Sequence, residues 1–306
     1  MKLMTKVDIP KGIPIGYDDR IMLLGSCFSD NIGEQLRRRL FDVCVNPFGT
    51  LYNPLSIDRA IDILLNKDRY SADDLFESRG MWHSFDHHSR FSGVDINRTL
   101  TGINDSLLAA KEALLSTTVM IITFGTAYVY YSSGRVVANC HKLPQSNFRR
   151  ILINYEETVR RWHQTIATLR SRFPDLRIIF TVSPIRHLSD GLAGNSLSKS
   201  TLRLVCNELA ETVDGCEYFP SYEILLDELR DYRFYAADML HPSDQAVEYV
   251  YERFAETHLS EPTIRRSEEC LKLWRLRNHR PMTDNADDIA RLNNAIVELE
   301  KKLSQR

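Results

Sequence analysis

The sequence predicts an α/β fold, a largely parallel sheet covered by helices on both faces. Short apolar runs suited to buried strands, at 21–24, 119–124 and 177–182, alternate with segments of helical apolar spacing. Helix-long connections between successive strands are what parallel pairing requires. Residues with reactive atoms repeatedly fall where a strand ends, the edge at which such sheets carry their sites.

The first strand stops at Gly25, passes Ser26 and Cys27, and enters a helix read over 29–40, with Ile32, Leu36 and Leu40 on one face. A second strand, 41–46, ends in a turn-rich loop over 46–54, where Gly49 lets backbone approach a ligand closely. Ser56 reads as the cap of a helix over 57–66, and Ser71 as the cap of a short one after it. Periodicity fades over 79–102, and this stretch, with Trp82, His83, His87, His88 and Phe91, reads as a long loop or small hairpin. A helix over 103–116 leads to the strand 119–124, and 129–137 reads as a hairpin around Ser132-Ser133-Gly134. A helix over 155–172 precedes the strand 177–182. A loop through Asn195, a helix over 197–213 and a fifth strand at 216–219 follow. Asp238-Met239-Leu240-His241-Pro242-Ser243 then opens a helix over 244–258, capped by Ser243.

The chain divides into an α/β domain, 1–257, and a charged helical extension, 258–306, with helices over 264–277 and 284–303. In the last helix Ile289, Leu292, Ile296, Leu299 and Leu303 form a short seam with two readings. It either packs back onto its own domain or meets a partner, a further copy in a homo-oligomer or another protein.

Composition narrows the function classes. The 306 residues, 43% hydrophobic and 26% charged, suit a globular protein, and a net charge of -2 gives no reason to expect a nucleic-acid partner. No secretory leader and no membrane-spanning run is legible, so the expected location is the cytoplasm. The six cysteines show neither paired spacing nor zinc-ligand spacing; reduced thiols are expected, and no metal or organic cofactor.

The residues that carry chemistry are Cys27 or Ser26 with Asp238 and His241. A nucleophile at a helix amino terminus meets unpaired N–H groups and the positive end of the dipole. Asp-x-x-His at the same sheet edge supplies an imidazole as general base and a carboxylate that fixes its tautomer.

Gly25-Ser26-Cys27-Phe28-Ser29 resembles the signature of the GSCFA family, with serine in the place of its last alanine. The segments Ser183-Pro184-Ile185-Arg186-His187, Tyr222-Glu223-Ile224, Asp231-Tyr232-Arg233-Phe234-Tyr235 and Asp238 to Ser243 are similar to that family's, and the resemblance runs over about 21–254. The family in turn resembles the SGNH, or GDSL-type, hydrolases. That implies a flavodoxin-like three-layer α/β/α fold and an esterase or acyl-ester hydrolase or transferase. It also puts Cys27 in the nucleophile's place and Ser26 in that of the preceding aspartate, and makes Gly49 an oxyanion donor. The third motif falls on Gly125-Thr126-Ala127-Tyr128 and lacks its asparagine, leaving the Cys27 and Gly49 N–H groups and the Thr126 hydroxyl as donors. A thiol beside a helix amino terminus and His241 is expected to have a lowered pKa.

Arg186 with His187, His141 with Lys142, and Trp82 with His83 lie on loops at the same edge and are candidates for binding an anionic or sugar-like substrate. Asn195, Ser198 and Lys199 extend the same pocket, and Arg233 reads as a brace for the Asp238 loop. The resulting expectation is hydrolysis of an ester of a small molecule or carbohydrate through an acyl-enzyme. The alternatives are a degenerate site that binds an acylated or carbohydrate ligand without cleaving it, and a scaffold assembled through the terminal helix.

Overall fold

The computed structural model describes residues 4–279 and 285–304. Its elements run β1 (Arg20–Gly25), α1 (Cys27–Arg38), β2 (Asp42–Val45), α2 (Pro54–Asn66), β3 (Phe76–Ser78), β4 (Met81–His83) and α3 (Ile96–Leu115). Next come β5 (Val119–Phe124), β6 (Tyr128–Ser132), β7 (Arg135–Val137), β8 (Arg149–Leu152), α4 (Tyr155–Arg172), β9 (Arg177–Val182), α5 (Gly191–Thr212) and β10 (Cys216–Phe219). A short helix, α6 (Ser221–Glu223), continues as a π turn over Ile224–Glu228, and α7 (Asp244–His258), α8 (Glu261–Asn278) and α9 (Ala286–Ser304) close the chain.

Five strands form one parallel sheet in the order β10-β9-β5-β1-β2. Alternation along its strands divides the core in two, because successive side chains leave opposite faces. Met22, Leu24, Met120, Ile122, Phe124, Ile178 and Phe180 meet apolar stripes of α2 to α5, including Ile57, Ile103, Trp162 and Leu202. Ile21, Leu23, Val119, Ile121 and Ile179 meet Phe28, Ile32 and Leu36 of α1 and Val250, Tyr251 and Phe254 of α7. Near-continuous burial of β1, β5 and β9 is the pattern of a sheet covered on both sides. The α/β fold is therefore the one the sequence predicts.

Several helices begin earlier than periodicity suggests, because a cap decides the start. Ser26 caps α1, so Cys27 is its first residue. Asn53 rather than Ser56 caps α2, accepting from the Ser56 N–H at 2.8 Å with Pro54 just inside. Asp95 starts α3 at Ile96, within the stretch read as loop. The rest of that stretch does contain a hairpin, β3 with β4, and β8 adds a third strand to the hairpin β6–β7.

At the carboxyl end, Ile296, Leu299 and Leu303 of the seam pack with Cys270 and Leu273 of α8 and with Tyr17. Arg277 pairs with Glu300 at 2.7 Å across the two helices. Ile289 is exposed, and Asp284, read as the start of this helix, lies outside the described residues. Among the described residues no helix is long and apolar enough to cross a membrane.

Candidate active site

The turn after β1 needs glycine. Gly25 has φ +149°, and a Cβ there would lie 2.3 Å from the Thr123 carbonyl oxygen on β5. Its N–H donates to Asn46 Oδ1 at 2.8 Å, and Asn46 Nδ2 donates to Asp30 Oδ1 at 2.8 Å, tying the ends of β1 and β2 to the first turn of α1. Ser26 is 1% exposed and its Oγ accepts the Phe28 N–H at 3.3 Å, so it serves as the helix cap. Cys27, half-buried, follows at the first helical position, where geometry leaves its N–H without an intrahelical partner.

The loop before α7 is built around one carboxylate. Asp238 Oδ1 accepts from the Leu240 and His241 N–H groups at 2.9 and 3.0 Å, while Oδ2 meets His241 Nδ1 at 2.5 Å. These bonds, the His241 N–H foremost, hold the Asp238 carboxyl down at about 2. With Nδ1 committed to the carboxylate as donor, Nε2 is the imidazole's acceptor. Met239, at φ +60°, absorbs the tight turn. Arg233 pairs with Asp231 at 3.2 Å; the brace on this loop is instead Arg186, whose guanidinium donates to Tyr235 Oη at 2.8 Å.

Ser26, Cys27, Thr126, Arg186, His187 and His241 all line one cavity of about 380 Å³, completed by Tyr52, Asn53, Tyr128, Tyr130, Asn139, Arg150 and Asp190 among others. Two loops more than two hundred residues apart thus face one space. Among the described residues no hydrogen bond joins His241 to Cys27 or Ser26. His187 sets its ring edge-on to Tyr52, with centroids 5.6 Å apart; burial, then the charges of Lys199 and Arg150, push it down to about 4, so it is neutral at pH 7. A larger groove, about 600 Å³, opens between α2 and α4 and carries none of the candidate residues.

Three expectations need correction. Gly49 is not on the cavity wall: its N–H closes a turn onto the Asn46 carbonyl at 2.8 Å, and its α-carbon faces His88, so it is no free oxyanion donor. His83 and His141 are packed polar residues. His83 bonds Ser92 Oγ at 2.7 Å, His141 Nε2 bonds the Ser84 carbonyl at 2.8 Å, and their ring centroids lie 4.6 Å apart beside Phe76; neither side chain lines the cavity. The Cys27 thiol is not lowered. Burial pushes it up and Asp30 adds to this, outweighing the first-turn N–H groups and Lys199.

Reading the sequence alone missed Asn53, Tyr52, Arg150 and Asp190. Arg150 lies over the Tyr128 ring at 3.8 Å and is ion-paired to Asp190, whose side chain is 1% exposed. The Tyr52-Asn53-Pro54 run carried a legible signal, an asparagine before proline at a helix start. Arg150 and Asp190 had none, since nothing local marks which loop residues meet. All six cysteines are free thiols, and no cluster of three or more metal-ligating side chains occurs among the described residues.

The family model for GSCFA matches residues 20–254, spanning the Gly25–Cys27 turn, the Arg186–His187 segment and the Asp238–His241 loop. The chain belongs to the GSCFA family. A search of curated proteins gives no match. Among solved structures, this GSCFA protein is similar to a putative platelet activating factor from Streptococcus pneumonia, at 12% identity and TM-score 0.39, covering 77% of this chain and 83% of that one. It is also similar to an acetyl xylan esterase from the rumen bacterium Butyrivibrio proteoclasticus, at 9% identity and TM-score 0.38, covering 80% and 64%. A third is a carbohydrate esterase from Talaromyces cellulolyticus, at 9% identity and TM-score 0.36, covering 82% and 99%. At these scores the likenesses carry no argument about what this GSCFA protein does.

Proposed function

We propose that the protein is an SGNH-like hydrolase that cleaves an acyl ester of a small molecule or carbohydrate through a covalent intermediate on Cys27. The observation that carries this reading is the shared cavity: Cys27 at its helix terminus and His241, oriented by Asp238 at 2.5 Å, open onto the same space. In the reaction His241 Nε2 takes the proton from Sγ, and the sulfur attacks the ester carbonyl. The imidazolium then protonates the departing alkoxide, leaving a thioester that water hydrolyses with His241 again as base. Ser26 is the weaker candidate, because its oxygen is engaged as the cap of α1.

Asn53 supports the oxyanion site in place of the missing asparagine. Its Oδ1 is held by the Ser56 N–H, which orients the amide and leaves Nδ2 as the group on the cavity side. Beside it, the Tyr52 carbonyl accepts from the Gly125 and Thr126 N–H groups at 2.7 Å each, drawing this loop against the end of β5. The Cys27 N–H, Asn53 Nδ2 and Thr126 Oγ1 are then the donors toward the developing oxyanion.

The test is trapping. Incubation with p-nitrophenyl acetate should yield nitrophenolate and an acetyl adduct on Cys27, both abolished in Cys27→Ala and strongly reduced in His241→Ala. Undiminished release by Cys27→Ala overturns the assignment. The competing reading, a site that binds an acylated ligand without cleaving it, draws on the protonated thiol and the absent Cys27–His241 hydrogen bond. It requires that neither adduct nor turnover be seen.

A further inference from the structure

A lysine with no carboxylate partner is almost never fully buried. Lys199 of α5 is 1% exposed, and its Nζ donates to the carbonyls of Gly125 at 2.6 Å and Ser183 at 2.7 Å, the residues that follow β5 and β9. It therefore spans the ends of two central strands beneath the cavity. A Cβ on Gly125 would lie 3.3 Å from Ser26 Cβ, so one of the lysine's anchors abuts the nucleophile turn itself. Two bonds satisfy two N–H groups, the full complement of a neutral amine; an ammonium has a third N–H to place.

We infer that Lys199 is a positioning residue for the nucleophile, its buried amine forming a proton-linked pair with the Cys27 thiol and supplying the compensating positive charge when the thiolate forms. The catalytic use of this pair rests on Cys27 being the nucleophile, as proposed above. His241 Nε2 takes the Sγ proton, and the thiolate that remains favours the protonated form of Nζ, whose positive charge offsets it. Burial pushes Lys199 down to about 7 and the thiol up, yet each group favours the charged form of the other. The remaining charges are few. Asp30 on α1 opposes the thiolate, Arg186 opposes the ammonium, and Tyr52 and His187 face the same two groups from their loops. Without Lys199, the thiolate would form in a desolvated position with Asp30 as its only charged neighbour among these.

The experiment is the pH dependence of Cys27 alkylation by iodoacetamide, followed by peptide mass analysis over roughly pH 6 to 10. Lys199→Gln keeps two N–H donors for the two carbonyls but carries no charge; Lys199→Met removes both. In each the midpoint should rise by about one unit, roughly a 10-fold slower alkylation below it. Asp30→Asn should move the midpoint down and shows that the assay senses neighbouring charge. A folded Lys199→Gln protein with the wild-type midpoint, while Asp30→Asn shifts it, overturns the pair and leaves Lys199 a structural staple. Because alkylation rather than turnover is read, loss or retention of esterase activity in Cys27→Ala decides the acyl-enzyme reading separately.

Discussion

In the proposed reaction Asn53 has two tasks for one side chain, and the two atoms of its amide separate them. Oδ1 caps α2 by accepting the Ser56 N–H, which leaves Nδ2 for the cavity that Asn53 lines. Asn53→Asp keeps an acceptor for the cap and replaces the cavity donor with an oxygen that repels an oxyanion. The expected outcome is a ~100- to 1000-fold fall in kcat for p-nitrophenyl acetate with little change in KM. Thermal stability should stay near wild type, because aspartate caps helices as well as asparagine. Asn53→Ala should lower both rate and stability, the latter by about 1 kcal/mol. Equal rates in wild type and Asn53→Asp would remove Asn53 from the oxyanion site. At this scale the sequence displayed Cys27, Asp238 and His241 because each sits in a local pattern with its own physical logic. It could not display the Cys27 thiol's raised pKa, since that depends on how deeply the folded chain covers it.

The β1–α1 turn is the element on which the site's geometry depends, and two glycines separate backbone need from mere tolerance. At Gly25 a methyl group meets the Thr123 backbone at 2.3 Å with φ at +149°. Gly25→Ala should therefore destabilise by more than about 2 kcal/mol and disturb the Cys27 position. Gly102 lies within α3 with nothing within 4 Å of an added Cβ. Gly102→Ala should stabilise by up to about 1 kcal/mol, because alanine is the better helix former. Urea unfolding of both variants checks the pair, and a neutral Gly25→Ala would contradict the turn's role. The strands β1, β5 and β9 were legible because burial on both faces makes them continuous apolar runs. Helix starts at Pro54, Ile96 and Gly191 were not, because caps and tertiary cover set them against a faint periodicity. β8 escaped because Arg149 and Arg150 open it with charges, and it pairs only with β6, in a small sheet apart from the parallel one.

For the whole molecule, the parallel sheet followed from the alternation of strands and helices, and with it the one edge at which residues 27, 126, 186 and 241 were expected; that residue 53 joins them came from the folded topology. Strands β1, β5 and β9 are neighbours, so the loops after them share one edge. The same burial that forms this edge and the two cores traps histidines. His87, His141, His187 and His258 are each pushed down to about 4 by burial, the first cause in every case. An unfolded chain protonates them near pH 6.5, whereas the folded one resists until about pH 4. Their contribution to stability is therefore complete above pH 6.5, falls as the unfolded state alone gains protons, and is exhausted at about pH 4. Each histidine costs about 1.4 kcal/mol per pH unit across that window. Asp238, held at about 2, acts only below it, so the two effects occupy separate ranges. Urea midpoints should drop steeply between about pH 6.5 and about pH 4.5, with unfolding taking up several protons. Replacing His258, which is 2% exposed between Phe219 and Phe254, by Phe should flatten the slope by one proton's worth whatever it does to stability at neutral pH. A midpoint constant across that window would mean that these rings are not held neutral by the fold.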